Sequence, residues 1–184
     1  MSGPRRARSA FGHQPGLGDP SPPPKSSAKD RALRLLAVRW RSREELRRRL
    51  AGAGFEEIEV DGALRDLEGA GLIDDVRFAG EVVRSQAGGR LAGDRSIRTA
   101  LRRQGVAAEV AESALARAGD ELERAVALAD RRAARLAHLG VEAAHRRLFG
   151  LLVRRGYGSE VAASACWQAL ARVFGPSDAP EESV

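Results

Sequence analysis

Cysteine is nearly absent from the chain, whose 184 residues include only Cys166. A lone thiol excludes an internal disulfide framework and leaves no thiol cluster to bind zinc. Long apolar runs are missing too, because Arg, Asp or Glu interrupts each one short of the roughly 18–20 uncharged residues that a bilayer span requires. The opening stretch, MSGPRRARSAFGHQPGLGDPSPPP, lacks the apolar core of a signal peptide. These absences predict a cytoplasmic protein without a membrane segment. Aromatic residues make up 4% of the chain and β-branched residues nowhere alternate, so there is little material for a sheet. Lysine is confined to Lys25 and Lys29, and the net charge of +6 is carried by arginine.

What is present favours helix, since Ala, Leu, Arg and Glu dominate. Residues 1–29 hold six of the eight prolines and four glycines but almost no large apolar side chains, which predicts a disordered basic arm. Residues 175–184 read as a short acidic tail. Between them lies an internal repeat marked by glycine. Leu46, Leu50, Gly54 and Phe55 recur as Ile97, Leu101, Gly105 and Val106, and again as Leu148, Leu152, Gly156 and Tyr157, each step being 51 residues. The spacing stacks two apolar side chains on one helix face and ends the helix at a glycine free to take positive φ. A second amphipathic stretch follows each turn, with Val60, Leu64 and Leu67, then Val110, Ala114 and Leu115, then Val161, Ala165 and Leu170.

A further helix precedes each pair. Asp30, Asp75 and Asp120 are its start signals, and Ser42 with Glu45 reads as a capping box for the second helix of the first copy. The expected fold class is therefore all-α: three tandem three-helix repeats at 31–72, 74–119 and 120–174. Such repeats bury their apolar faces by stacking, which predicts an elongated, curved solenoid and a monomer.

No catalytic constellation emerges. His13 lies in the arm, and His138 and His145 flank Gly140 without partners at metal-ligand spacing. The adjacent Asp74 and Asp75 sit before a helix, where capping and the helix dipole account for them. Cys166 lies among apolar neighbours. Gly88, Gly89 and Gly93 lack the Lys-Ser/Thr of a phosphate loop. The expectation is a protein that is not an enzyme and takes no cofactor or metal. Nor does a groove-reading helix-turn-helix fit, because the third helix of the first copy has Glu56, Glu57, Glu59, Asp61, Asp66 and Glu68 against Arg65 alone.

Positive charge gathers instead on the second helices, at Arg47 and Arg48, at Arg95, Arg98, Arg102 and Arg103, and at Arg146, Arg147 and Arg154. At roughly 100° per residue the four arginines of the middle copy share the side opposite Ile97 and Leu101. Three stacked copies of this pattern predict a positive stripe suited to an extended anionic partner.

Four stretches resemble the RecX regulators of the RecA recombinase: ALRLLAVRWRSREELRRRLAGAGF at 32–55, LEGAGLIDDVRFAGEVV at 67–83, GDRSIRTALRRQGV at 93–106 and LVRRGYGSEVA at 152–162. The motif LIDDVRFA, with Asp74, Asp75, Phe78 and Ala79, is the most specific. The resemblance implies a modulator that lies along RecA filaments on DNA and suppresses ATP hydrolysis and strand exchange in DNA repair and SOS control, with weak non-specific DNA contact. It implies no catalytic residue, and it gives Asp75 a capping role and Phe78 a packing role. Two other classes fit the residues alone: a non-specific DNA-binding protein with no recombinase partner, and an inert helical adaptor.

Overall fold

The computed structural model describes residues 26–175 as helices and connections, with no strand among them. The expected arm up to residue 25 and the acidic tail from residue 176 lie outside the described residues. The first group comprises α1 (Ala28–Val38), α2 (Arg43–Ala51) and α3 (Glu57–Gly69). The second has α4 (Asp75–Val83), continued by a π-helical turn at Arg84–Gly89, then α5 (Asp94–Arg103) and α6 (Ala108–Leu115). The third has α7 (Glu121–Ala133) with a 3-10 turn at Ala134–Leu139, α8 (Val141–Arg154) and α9 (Ser159–Phe174).

The repeat pattern sets the core. Leu46, Leu50, Ile97, Leu101, Leu148 and Leu152 are all fully buried, and Gly54, Gly105 and Gly156 take φ of +87°, +77° and +92°. Each glycine turn is closed by the next residue's N–H, as Val106 N donates to Leu101 O at 3.1 Å and Tyr157 N to Leu152 O at 3.2 Å. Three separate apolar clusters result, one per group, and every substantial helix-to-helix packing lies within a group. The groups are therefore joined in series, as stacked repeats are.

Several local expectations need correction. Helix α1 begins at Ala28, inside the segment expected to be disordered, and its cap is Ser27, whose hydroxyl accepts from Asp30 N at 3.1 Å while the Asp30 carboxylate turns back to Ser27 N at 3.2 Å. Asp30 is thus the reciprocal third residue of a capping box. Ala28, the first residue of α1, is fully buried and donates its N–H to Glu59 at 3.0 Å, a tertiary tie that the local sequence did not reveal. Ser42 caps α2 as expected, but the Glu45 carboxylate does not turn back to it. It is held by Arg39, Arg41 and Arg49. Burial raises the Glu45 pKa, and hydrogen bonds from these arginines outweigh that to leave it below the usual value. On α1 the fully buried residues are Ala28 and Ala32, while Leu33 is 39% exposed.

The junctions between groups repeat as faithfully as the helices. The Ser42 hydroxyl at the start of α2 donates to Gln104 O at the end of α5. Fifty-one residues on, Gly93 N at the start of α5 donates to Arg155 O at the end of α8 at 3.0 Å, and Arg95 N donates to Gly156 O at 3.2 Å. The second helices thus run head to tail, the unsatisfied carbonyls of one facing the unsatisfied amides of the next. A carboxylate from the following group completes each joint: Asp75 accepts from Arg43 N and Glu121 from Asp94 N, both at 2.8 Å. At the second joint Arg124, 8% exposed, pairs with Asp94 and donates to the carbonyls of Ala118 and Gly119. Leu91, at φ +48°, is the one non-glycine residue with positive φ among the described residues, and its carbonyl accepts from the buried Tyr157 hydroxyl at 2.8 Å.

Asp75 is accordingly a joint between groups, and the cap of α4 is Asp74, which accepts from Arg77 N at 2.9 Å. Burial, with the charges of Glu68 and Asp74, holds the Asp75 carboxyl above its usual value against the Arg43 hydrogen bond. A raised folded pKa means that this group favours folding most below its unfolded value of 3.8 and loses that contribution as pH rises through the folded value. Asp75→Asn keeps the acceptor and sheds the buried charge, so at pH 7 the melting midpoint should hold or rise. Asp75→Ala orphans Arg43 N and should cost about 1–2 kcal/mol in denaturant titrations.

Cys166 is fully buried on α9, and burial pushes its thiol up to about 12. As the single thiol it reports on the third group alone. Alkylation at pH 8 is expected to be slow in the folded protein and fast in denaturant. Equal rates would contradict the packing of α9.

A candidate arginine-lined interface

Three grooves on the surface adjoin one another, neighbours sharing lining residues, and together they are called the trough. The first lies at the junction of groups one and two, between Arg39, Arg48 and Arg49 on one side and Arg90 and Arg103 on the other, with Phe78 and Val82 beneath. Arg90 also lines the second groove, together with Leu91, Arg131, Arg132, Arg135 and Arg155. Arg132 and Arg135 continue into the third, of about 530 Å³, whose far wall is Arg146, Arg147 and Arg154 over Leu136, Leu148 and Leu151. Glu45 is the single acidic residue lining the three, and it is already held by three arginines.

Local sequence explains why these side chains gather. Arg48 and Arg49 end α2, Arg103 ends α5, Arg131 and Arg132 end α7 and Arg154 ends α8, where the negative end of the helix dipole favours cations. Arg131 and Arg135 are i, i+4 neighbours, so the 3-10 extension of α7 prolongs the basic wall.

The expected stripe divides in the folded chain. Arg48, Arg103, Arg146, Arg147 and Arg154 line the trough. Arg47 is drawn away to Asp61 on α3 at 2.7 Å, and Arg98 to Glu112 on α6 at 2.7 Å, where the hydrogen bond to Glu112 raises its pKa. Arg95 and Arg102 are exposed but line none of the three grooves. Residues outside the expected stripe complete the surface: Arg39, Arg49, Arg90, Arg131, Arg132, Arg135 and Arg155. The stretch ADRRAARLAHLG at 129–140 carried the signal, but it belongs to a first helix and its extension.

Of the structural residues, Phe78 is 4% exposed within the second cluster, and Gly105 and Gly156 face Glu44 and Ser96 of the preceding group. Gly54 faces open space among the described residues. Among the described residues no three His, Cys, Asp or Glu side chains come together as a metal site, and no helix is long and apolar enough to cross a membrane. His145 stacks on Phe149 with centroids 6.0 Å apart, and burial lowers its pKa.

Comparison with known proteins agrees with this architecture. Residues 28–67 match the model of the first three-helix domain of RecX, and residues 74–115 match that of the second. The regulatory protein RecX of Amycolatopsis mediterranei is 38% identical over 132 residues, covering 71% of this chain and 75% of that one. Its counterpart in Mycobacterium sp. strain KMS is 39% identical over 153 residues, covering 78% and 82%. The crystal structure of RecX from Lactobacillus salivarius shares the fold, with a TM-score of 0.70 at 23% identity over 77% of this chain and 94% of that one. Another crystal structure of regulatory protein RecX gives a TM-score of 0.65 at 26% identity over 73% and 68%. With two domain models matched in order and relatives similar over most of their length, the chain belongs to the RecX family of regulatory proteins.

Proposed function

We propose that the chain regulates the RecA recombinase by binding its filament on DNA, and that it restrains ATP hydrolysis and strand exchange without catalysing a reaction of its own. The observation that carries this reading is the set of adjoining grooves, lined by arginines from all three repeats. A nucleoprotein filament is an extended partner that offers both acidic protein surface and phosphate, and arginine recognises both as a planar, multidentate donor. Family membership supplies the regulatory role.

The working form in this proposal is a cytoplasmic monomer. Helix α8 supports it, because it begins at Val141, ahead of Ala144, the position equivalent to Ser42 and Gly93. The joint that Ser42 and Gly93 make is therefore not repeated at the start of α8. Hydrolysis of ATP by RecA on single-stranded DNA, measured with and without this chain, tests the reading. A fall in rate that saturates with added protein is expected, and an unchanged rate at saturating protein overturns it.

A further inference from the structure

We infer that the third groove is a docking surface for the chain's own acidic segment at 176–184, which covers it against an anionic partner. The inference deepens the proposed function by adding its regulation, and it rests on that reading only for the partner that is displaced. Whether the segment occupies the groove depends on this chain alone.

Charge is the first argument. Arg132, Arg135, Arg146, Arg147 and Arg154 line the groove, no acidic residue does, and none of the five has a carboxylate within 4.0 Å among the described residues. Guanidinium groups gathered without counter-charge repel one another, and a carboxylate brought among them relieves that repulsion as a charge-assisted acceptor. The segment PSDAPEESV offers Asp178, Glu181 and Glu182 and no base. The floor of Leu136, Leu148 and Leu151 also gives the apolar Val184 a surface to lie on.

Charge alone does not select this groove, because Arg48, Arg90, Arg103 and Arg155 in the adjoining ones are likewise without a carboxylate among the described residues. The course of the chain does. Arg172, in the last turn of α9, pairs with Asp130 near the end of α7 at 2.7 Å, and α7 runs on into the 3-10 turn that carries Arg135 and Leu136. Phe174 and Leu136 pack against the same apolar cluster. Helix α9 therefore ends beside a wall of the third groove. Gly175, at φ +92°, ends the helix, and nine residues follow, long enough at about 3.3 Å each to span about 30 Å. So short a tether gives an effective concentration on the order of millimolar, and contacts too weak to hold a free peptide then suffice.

The test compares the full chain with a variant carrying Asp178→Asn, Glu181→Gln and Glu182→Gln, with no recombinase present. Amide and arginine side-chain resonances of Arg135, Leu136 and Arg147 should differ between the two proteins, and the difference should vanish at about 1 M salt, where the Debye length is about 3 Å. Glu56, Glu57 and Glu109 are exposed and without an ion pair among the described residues, and their replacement by Gln should leave these signals unmoved. Groove signals identical in the parent and the 176–184 variant, or moved equally by the control, overturn the inference.

The consequence is read on RecA ATPase. A groove covered about two-thirds of the time raises the concentration needed for inhibition about threefold, so the variant neutralised at 178, 181 and 182 should inhibit at about one third of the parent's concentration. Adding Arg135→Gln and Arg147→Gln, with folding established by circular dichroism, should abolish that difference, as coupling between the two sites requires. Equal inhibition by parent and neutralised variant, or a gain that persists without the two arginines, overturns the regulatory role. If neither protein inhibits RecA, the proposed function fails and the resonances still decide the docking. A parent that inhibits while its groove signals ignore the acidic segment leaves the proposed function standing and removes the docking.

Discussion

Replacing Gly93 by Ala is expected to destabilise the protein by about 3 kcal/mol, at the upper end of overpacking effects, and to split one unfolding transition into two. Gly93 has φ −75°, which any residue adopts, so backbone strain plays no part. The cost is a collision: a Cβ there would land on the backbone of Gly156 and Tyr157, which cannot rotate aside as a side chain can. To admit the methyl group, the joint between the second and third repeats must open. That would break the Gly93 and Arg95 hydrogen bonds to α8 and disturb the Tyr157 hydroxyl bond to Leu91. Gly62→Ala in the interior of α3 meets nothing within 4 Å and should be neutral or stabilising by about 0.5–1 kcal/mol through helix propensity. Thermal unfolding followed by calorimetry distinguishes the two; a single unshifted transition for Gly93→Ala would contradict the joint.

Phe78→Ala should cost about 3–5 kcal/mol, as large-to-small changes in a packed core do. Phe78 is 4% exposed and belongs to the cluster formed by Ala79, Val83, Ile97, Leu101 and Val106. It is the largest side chain of that cluster, and its loss leaves a void that the flanking alanines cannot fill. Urea titration measures the effect. Because the ring also floors the first groove, a variant that keeps its stability and loses inhibition of RecA would instead make Phe78 part of the contact surface.

The fold was legible because its signals are local. Two apolar residues four apart and a glycine one turn on specify a helix face and its end, and the 51-residue step repeats them three times. The site was half legible for the opposite reason. Which arginines remain free depends on carboxylates brought from elsewhere: Asp61 reaches Arg47 across 14 positions, and Glu112 reaches Arg98 across the same span. The far wall of the trough comes from α7 and its 3-10 extension, whose arginines meet those of α8 only in the folded repeat. Asp75 misleads in the same way. At the start of a helix it reads as a cap, but its acceptor oxygen is spent on Arg43 of the preceding repeat. Gly54 and Gly105 are equivalent in sequence, yet only Gly105 has a neighbour against it.

In the proposed function the arginine-lined trough, and not positive charge at large, carries the regulation of RecA. This is tested by titrating RecA ATPase on single-stranded DNA with three proteins: the parent, a variant with Arg48, Arg103 and Arg146 changed to Glu, and a charge-matched variant at Arg31, Arg34 and Arg65. Each altered position is an exposed arginine outside the apolar clusters. The parent and the charge-matched variant are expected to inhibit at similar concentrations, while the trough variant should require at least about tenfold more, a loss of about 1.4 kcal/mol. Inhibition by the folded trough variant at the parent's concentration would contradict it.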